Sequence, residues 1–145
     1  MNQCTKLSSF FIFPATVFLA HLTVSGIFRL YTVFPHIDIP FHFLGGFSIA
    51  YTSAKILAYL EQEKLIARLN GMLFMILLIS ITATAAVLWE FVEFTGDQLF
   101  HTNIQVSLAN TMQDQFMGLL GGLALAFLYW RSSKKQRRPA DDINH

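Results

Sequence analysis

The chain has 145 residues, 54% hydrophobic and 13% charged, with 15 phenylalanines. That is too apolar for an ordinary soluble domain of this length and makes the bilayer the natural solvent. The net charge is +1, no segment resembles a nucleic-acid-binding module, and the single cysteine, Cys4, forms no intramolecular disulfide.

Four segments have the length and apolarity of membrane spans: about Ser9 to Phe28, Ile39 to Leu60, Gly71 to Phe94 and Gln115 to Trp130. Each reaches or approaches the roughly 20 helical residues that cross a hydrocarbon core. In the first, Pro14 is placed to kink the helix, and His21 reads as a hydrogen-bonded interhelical histidine. The alternative for this segment is a signal peptide, with Lys6 as its positive region. The second opens with "DIPFH", where Asp38 reads as a helix cap and Pro40 sits in the first turn, where a missing N–H costs nothing.

The third span ends in "WEFVEFTGD", bearing Glu90, Glu93 and Asp97. The stretch "TGDQLFHTNIQVSLANTM" then reads as a surface segment or a lid folded back over the bundle, with Asn110 as cap of the fourth helix and Asp114 just inside it. Trp89, Trp130, Tyr31, Tyr51, Tyr59 and Tyr129 read as an interfacial aromatic belt, and His36 and His101 as loop residues within reach of the site. Ser48 has no base beside it, and "LGGF" and "LLGG" read as packing glycines.

Basic residues set the orientation. Lys6, Lys64, Arg68 and the run from Arg131 to Arg138 lie on one side, whereas 95–114 has no Lys or Arg and the first loop has only Arg29. Both termini are therefore expected in the cytoplasm. The expected fold class is all-α: a polytopic membrane protein with four transmembrane helices in one bundle over residues 1–130, followed by a basic, disordered cytoplasmic tail over 131–145.

Antiparallel spans bring a helix start, a helix end and a helix start to one membrane level. Asp38 and His42 stand i,i+4, Glu90 and Glu93 i,i+3, and Glu93 and Asp97 i,i+4, so each set shares a helical face. Those faces continue in small residues (Gly45, Gly46 and Ser53; Ala86, Ala83 and Thr82; Gly118, Gly121 and Gly122), which turns the acids inward. Glu90 is roughly 10 Å along its helix from Asp97, and His42 roughly 6 Å from Asp38, so both lie below the headgroups. A lone acid at mid-helix costs about 2.5–3.5 kcal/mol, and several together cost more.

Shared protons, the His42 imidazolium, water or a cation must neutralise them. Asp38, His42, Glu90, Glu93 and Asp114 form the candidate metal-ligand set, in which oxygen donors favour Mn²⁺, Fe²⁺ or Mg²⁺. Glu90, Glu93 and His42 are the candidate catalytic groups, with His42 as ligand or general base, and an enzyme of this kind acts on an amphiphile in the outer leaflet. Two other readings stay open: a non-catalytic scaffold or envelope-stress partner in which the cluster is structural, and a small proton- or ion-coupled transporter. The bilayer is the expected partner, and oligomeric state and protein partners are left open.

"DIPFHFLGGFSIAY" resembles the D-x-x-x-H-F-x-x-G-F opening of the YjdF-like bacterial inner-membrane proteins. "WEFVEF" is similar to their aromatic-E-x-x-E-aromatic element and "NTMQDQFMGLLGG" to their D-T-x-x-D-x-x-x-x-x-x-G element, in the same order from Asp38 to Gly122. Asn110 stands where the resemblance leads one to expect Asp, and the Gly- and Asp-rich loop typical of that family is missing between spans three and four. A weaker resemblance runs to VanZ-like membrane proteins. The resemblance implies an inner-membrane location and marks Asp38, His42, Glu90, Glu93 and Asp114 as motif positions, without supplying an activity.

Overall fold

The structure, a computed structural model, describes residues 7–24, 37–101 and 104–137. Its main elements are four α-helices: α1 (Ile12–Leu22), α2 (Asp38–Gln62), α3 (Gly71–Phe100) and α4 (Leu108–Arg137). Two of them, α2 and α3, are long and apolar enough to cross a membrane. Tyr31, His36, the far end of the first span and residues 138–145 lie outside the described residues.

Proline shapes the start of α1. It has no N–H to return to the carbonyl four residues earlier, and its ring crowds that carbonyl. The helix accordingly begins after a turn at Phe10 and Phe11, just ahead of Pro14. The Phe10 carbonyl instead accepts a 2.8 Å hydrogen bond from the Thr52 hydroxyl on α2. This fixes the antiparallel register of the pair, with Phe10 level with Thr52 and His21 level with Asp38. Edge-on ring contacts of Phe13 with Phe47 and Tyr51, and of Phe10 with Tyr59, fill the seam. Tyr59 is buried in this seam, while Tyr51 contacts Phe13 and stays exposed on its other side.

The close pair is α2 with α4, and glycine makes it close. A Cβ on Gly46 would collide with the backbone of Gly118, and one on Gly121 with the backbone of Phe43 and Phe47. A Cβ on Gly122 would come within 2.7 Å of Thr82, which draws α3 into the same contact. Small residues at such crossings let the backbones gain dispersion contact where lipid offers no hydrophobic drive. Gly45 faces open space. Beneath the crossing, Ala50, Ala54, Leu78, Leu125 and Ala126 form the core, while Leu88, Phe91, Val92, Phe94 and Phe116 point outward, as a lipid-facing surface requires.

Three boundaries differ from the sequence reading. Asp38 is not the cap of α2: Ile37 holds the cap position without a side-chain bond, and the Asp38 carboxylate is turned toward histidines. Asn110 is not the cap of α4 either, because the helix starts at Leu108 and Ser107 Oγ accepts from the Asn110 N–H at 3.2 Å. Both α3 and α4 have 30 residues, longer than the spans Gly71 to Phe94 and Gln115 to Trp130 read from the sequence. At roughly 45 Å each, they extend beyond a hydrocarbon core of about 30 Å. α3 continues past Phe94 until His101 takes a left-handed conformation, φ 53°. At its other end Asn70 caps it, accepting from the Leu73 N–H at 2.8 Å.

Candidate functional site

All five acidic and histidine residues singled out in the sequence converge at one end of the bundle. Asp38, Glu90, Glu93 and Asp114 are buried, the last at 1% exposure. His42 lies at the centre: its Nε2 is 3.3 Å from Asp38 Oδ1 and 3.9 Å from Asp114 Oδ1, and its Nδ1 is 3.9 Å from Glu90 Oε1. One donor atom from each of Asp38, His42 and Asp114 lies within 4.8 Å of the others, and the same holds for His42, Glu90 and Glu93. The imidazole therefore faces two carboxylates on either side.

The antiparallel topology produces this convergence. The first two turns of α2 supply Asp38 and His42, the C-terminal part of α3 supplies Glu90 and Glu93, and the second turn of α4 supplies Asp114. Because Gly118 lies against the His42 carbonyl and Ala86, the helices are near enough for short acidic side chains to meet.

Two residues that the sequence reading set aside belong to this site. His21 reaches it from α1, with Nδ1 3.9 Å from Asp38 Oδ1 and its ring edge-on to Phe41, His42 and Trp89. Trp89 is not a belt residue: its indole N–H donates to Glu93 Oε1 at 2.8 Å while its ring packs against Phe18 and His21. The signal for His21 was present in the antiparallel alternation that aligned the other helices, because the C-terminal end of α1 reaches the same level. His101 is exposed at the end of α3 and stays outside the cluster.

The segment after α3 folds back over the site, as one of the sequence readings had it, and its two fastenings are specific. Asp97 accepts from the Ile104 N–H at 2.8 Å and the Gln105 N–H at 2.9 Å. Thus held, the Gln105 side-chain amide donates to the Glu90 carbonyl oxygen at 2.9 Å and to Glu90 Oε2 at 3.0 Å. Gln105 was not foreseen, since a glutamine in a polar loop carries no periodic signal. Hydrogen bonds to a charged acceptor contribute about 1.5–3 kcal/mol. Asp97→Ala should therefore speed hydrogen exchange of the Ile104 and Gln105 amides by about tenfold or more. Unchanged exchange at those amides would mean that Asp97 does not hold the segment.

Most polar atoms here have hydrogen-bond partners, but three do not. His42 Nε2, Glu90 Oε1 and Asp114 Oδ1 are completely buried and make no well-formed hydrogen bond, the nearest contact of His42 Nε2 being the Asp38 carboxylate at 3.3 Å. A buried polar atom left unsatisfied costs about 1–3 kcal/mol, and more when charged. Among the described residues, the ion pairs of the cluster all run to histidine and none to Lys or Arg. Donor atoms about 2.0–2.2 Å from one metal ion stand roughly 3–4 Å from each other. The His42–carboxylate spacings fall in that range, but Asp38 and Asp114 face Nε2 while Glu90 faces Nδ1, so the two nitrogens look toward two separate donor sets.

The molecule is thus an all-α bundle with two helices fit to span a membrane and an inward-facing cluster of carboxylates and histidine. The chain belongs to the family described as predicted membrane protein (DUF2238), which matches residues 1–135. No curated protein and no solved structure matches it.

Proposed function

We propose that this protein is a polytopic inner-membrane protein of the YjdF-like type that binds a divalent cation in its Asp/His/Glu cluster. In this reading both termini are cytoplasmic, all four helices cross the bilayer, the cluster lies near the outer face, and the residues after Trp130 form a basic tail. The observation that carries it is the set of buried atoms on His42, Glu90 and Asp114 that ion-pair contacts of 3.3–3.9 Å bring together without a hydrogen bond, each from a different helix. Asp38, His42 and Asp114 supply one set of donors through Nε2, and His42, Glu90 and Glu93 a second set through Nδ1, so the cation occupies one of two adjoining positions that share the imidazole. Carboxylate oxygens with a single imidazole suit Mn²⁺, Fe²⁺ or Mg²⁺, and a divalent charge offsets carboxylates that pair with no Lys or Arg among the described residues.

A ligand that binds only the folded state raises its stability by about 2.7 kcal/mol at a hundred times its Kd. After chelator treatment in mild detergent, Mn²⁺, Fe²⁺ or Mg²⁺ should raise the Tm of the protein to a plateau, and His42→Ala should abolish the response. If the native protein's Tm stays flat for all three ions, the reading fails.

The scaffold reading has one observation in its favour: Glu93 and Glu90 already accept hydrogen bonds from Trp89 and Gln105, as register-setting groups would. It predicts that Glu93→Gln is tolerated or stabilising, since removing a poorly paired buried charge often is. The cation reading predicts weaker cation stabilisation in the same variant. Transport draws less support. The hydroxyl protons of Ser48, Ser53 and Thr82 on the inward stripe are directed to carbonyls of their own helices.

A further inference from the structure

Inward of the cluster, α1 packs on α2 and touches α3 through Phe18 and His21 against Trp89, and between them lies a half-open cavity of about 410 Å³. Its walls are apolar, with Phe11, Pro14, Phe18, Phe41, Ile49 and Ala85 among them. The hydroxyls at its far end, Ser48 and Thr82, donate to their own helices, to Gly45 O at 2.8 Å and Leu78 O at 2.9 Å. At the near end stand His21, His42 and Trp89, the same groups that border the carboxylates. From Phe11 to His21 the cavity follows α1 for roughly 15 Å, parallel to the bundle. Gly45 keeps one wall open, since a Cβ there would meet nothing within 4 Å.

A narrow, apolar, lengthwise cavity between membrane helices excludes water and takes up hydrocarbon. Its polar end restricts the head group. Four carboxylates that pair with no Lys or Arg among the described residues repel an anionic head even with one divalent ion among them, whereas a hydroxyl or ester oxygen adds a donor and no charge. We propose that the cavity holds the hydrocarbon chain of a single-chain membrane amphiphile with a neutral, oxygen-bearing head, and that this head lies at the His42 cluster. The head's contact rests on the cation reading; the seat of the chain does not.

Trp89 lines the cavity and serves as its reporter, once Trp130, exposed near the other end of α4, is replaced in Trp130→Phe. Monoolein brominated on its chain is titrated into this protein in mild detergent, beside brominated oleoyl lysophosphatidate, which has the same chain and an anionic head. The expected result is saturable quenching of Trp89 by the brominated monoolein, with several-fold weaker binding of the phosphate. Gly45→Leu, which fills the cavity without striking the backbone, should remove the saturable component while keeping the cation-dependent rise in Tm. Quenching that only rises linearly, or that saturates equally in Gly45→Leu, overturns the proposal, and tighter binding of the phosphate overturns the head-group assignment. If the brominated monoolein saturates and Gly45→Leu abolishes this while no cation shifts the Tm, the seat of the chain stands and the cation reading alone falls.

Discussion

Gly46→Leu should prevent assembly of the bundle. A side chain at this position grows directly into the Gly118 backbone, and neither α2 nor α4 can bend away without losing the contacts of Gly121 and Gly122. Overpacking against movable side chains costs about 1–3 kcal/mol. Here the obstacle is backbone, so the loss should exceed about 3 kcal/mol and leave little monodisperse protein after detergent extraction. Gly45→Ala is the control, because its Cβ enters open space and alanine favours helix by about 1 kcal/mol. A Gly46→Leu protein with native yield and Tm would show that α2 and α4 do not meet at this crossing.

The second large effect is expected at His42. Its ring separates Asp38 and Asp114 from Glu90 and Glu93, with side-chain exposure of 8%. In His42→Ala these buried acids lose their shared partner. Removing one member of a buried charged set costs about 3–5 kcal/mol, because the remaining charges stay desolvated and unpaired. In metal-free detergent the variant should melt well below the native protein. Adding Glu90→Gln to it should recover part of the loss, since it removes one of the repelling charges, whereas a cavity left by the ring would not be repaired by that change. A Tm for His42→Ala equal to that of the native protein would remove His42 from its central role.

The spacing of Asp38, His42, Glu90 and Glu93 was sufficient to identify the faces that meet, because helical periodicity and antiparallel spans leave few other arrangements. The glycines on the same faces correctly marked where helices touch, except at Gly45. Helix ends were harder to read. Ser107 and Asn110 are both competent caps, and which of them acts depends on how the preceding segment is held by Asp97. His21 is interhelical as read, its partner being Asp38, but its place beside the cluster was not foreseen; Trp89 was read as interfacial, the default for a tryptophan near a span end until a partner such as Glu93 is known. Gln105 and the cavity beside Gly45 arise from how α1 and the α3–α4 segment settle on the bundle, and no local pattern encodes that.

Elemental mass spectrometry of the purified protein in mild detergent, beside Glu90→Gln/Glu93→Gln, tests the central claim most directly. The account predicts a near-stoichiometric divalent metal that survives gel filtration in the native protein and is lost or strongly depleted in the double variant. Absence of metal from both proteins, after reloading with Mn²⁺, Fe²⁺ and Mg²⁺, would contradict it and leave Asp38, His42, Glu90, Glu93 and Asp114 as a network that only fixes helix register.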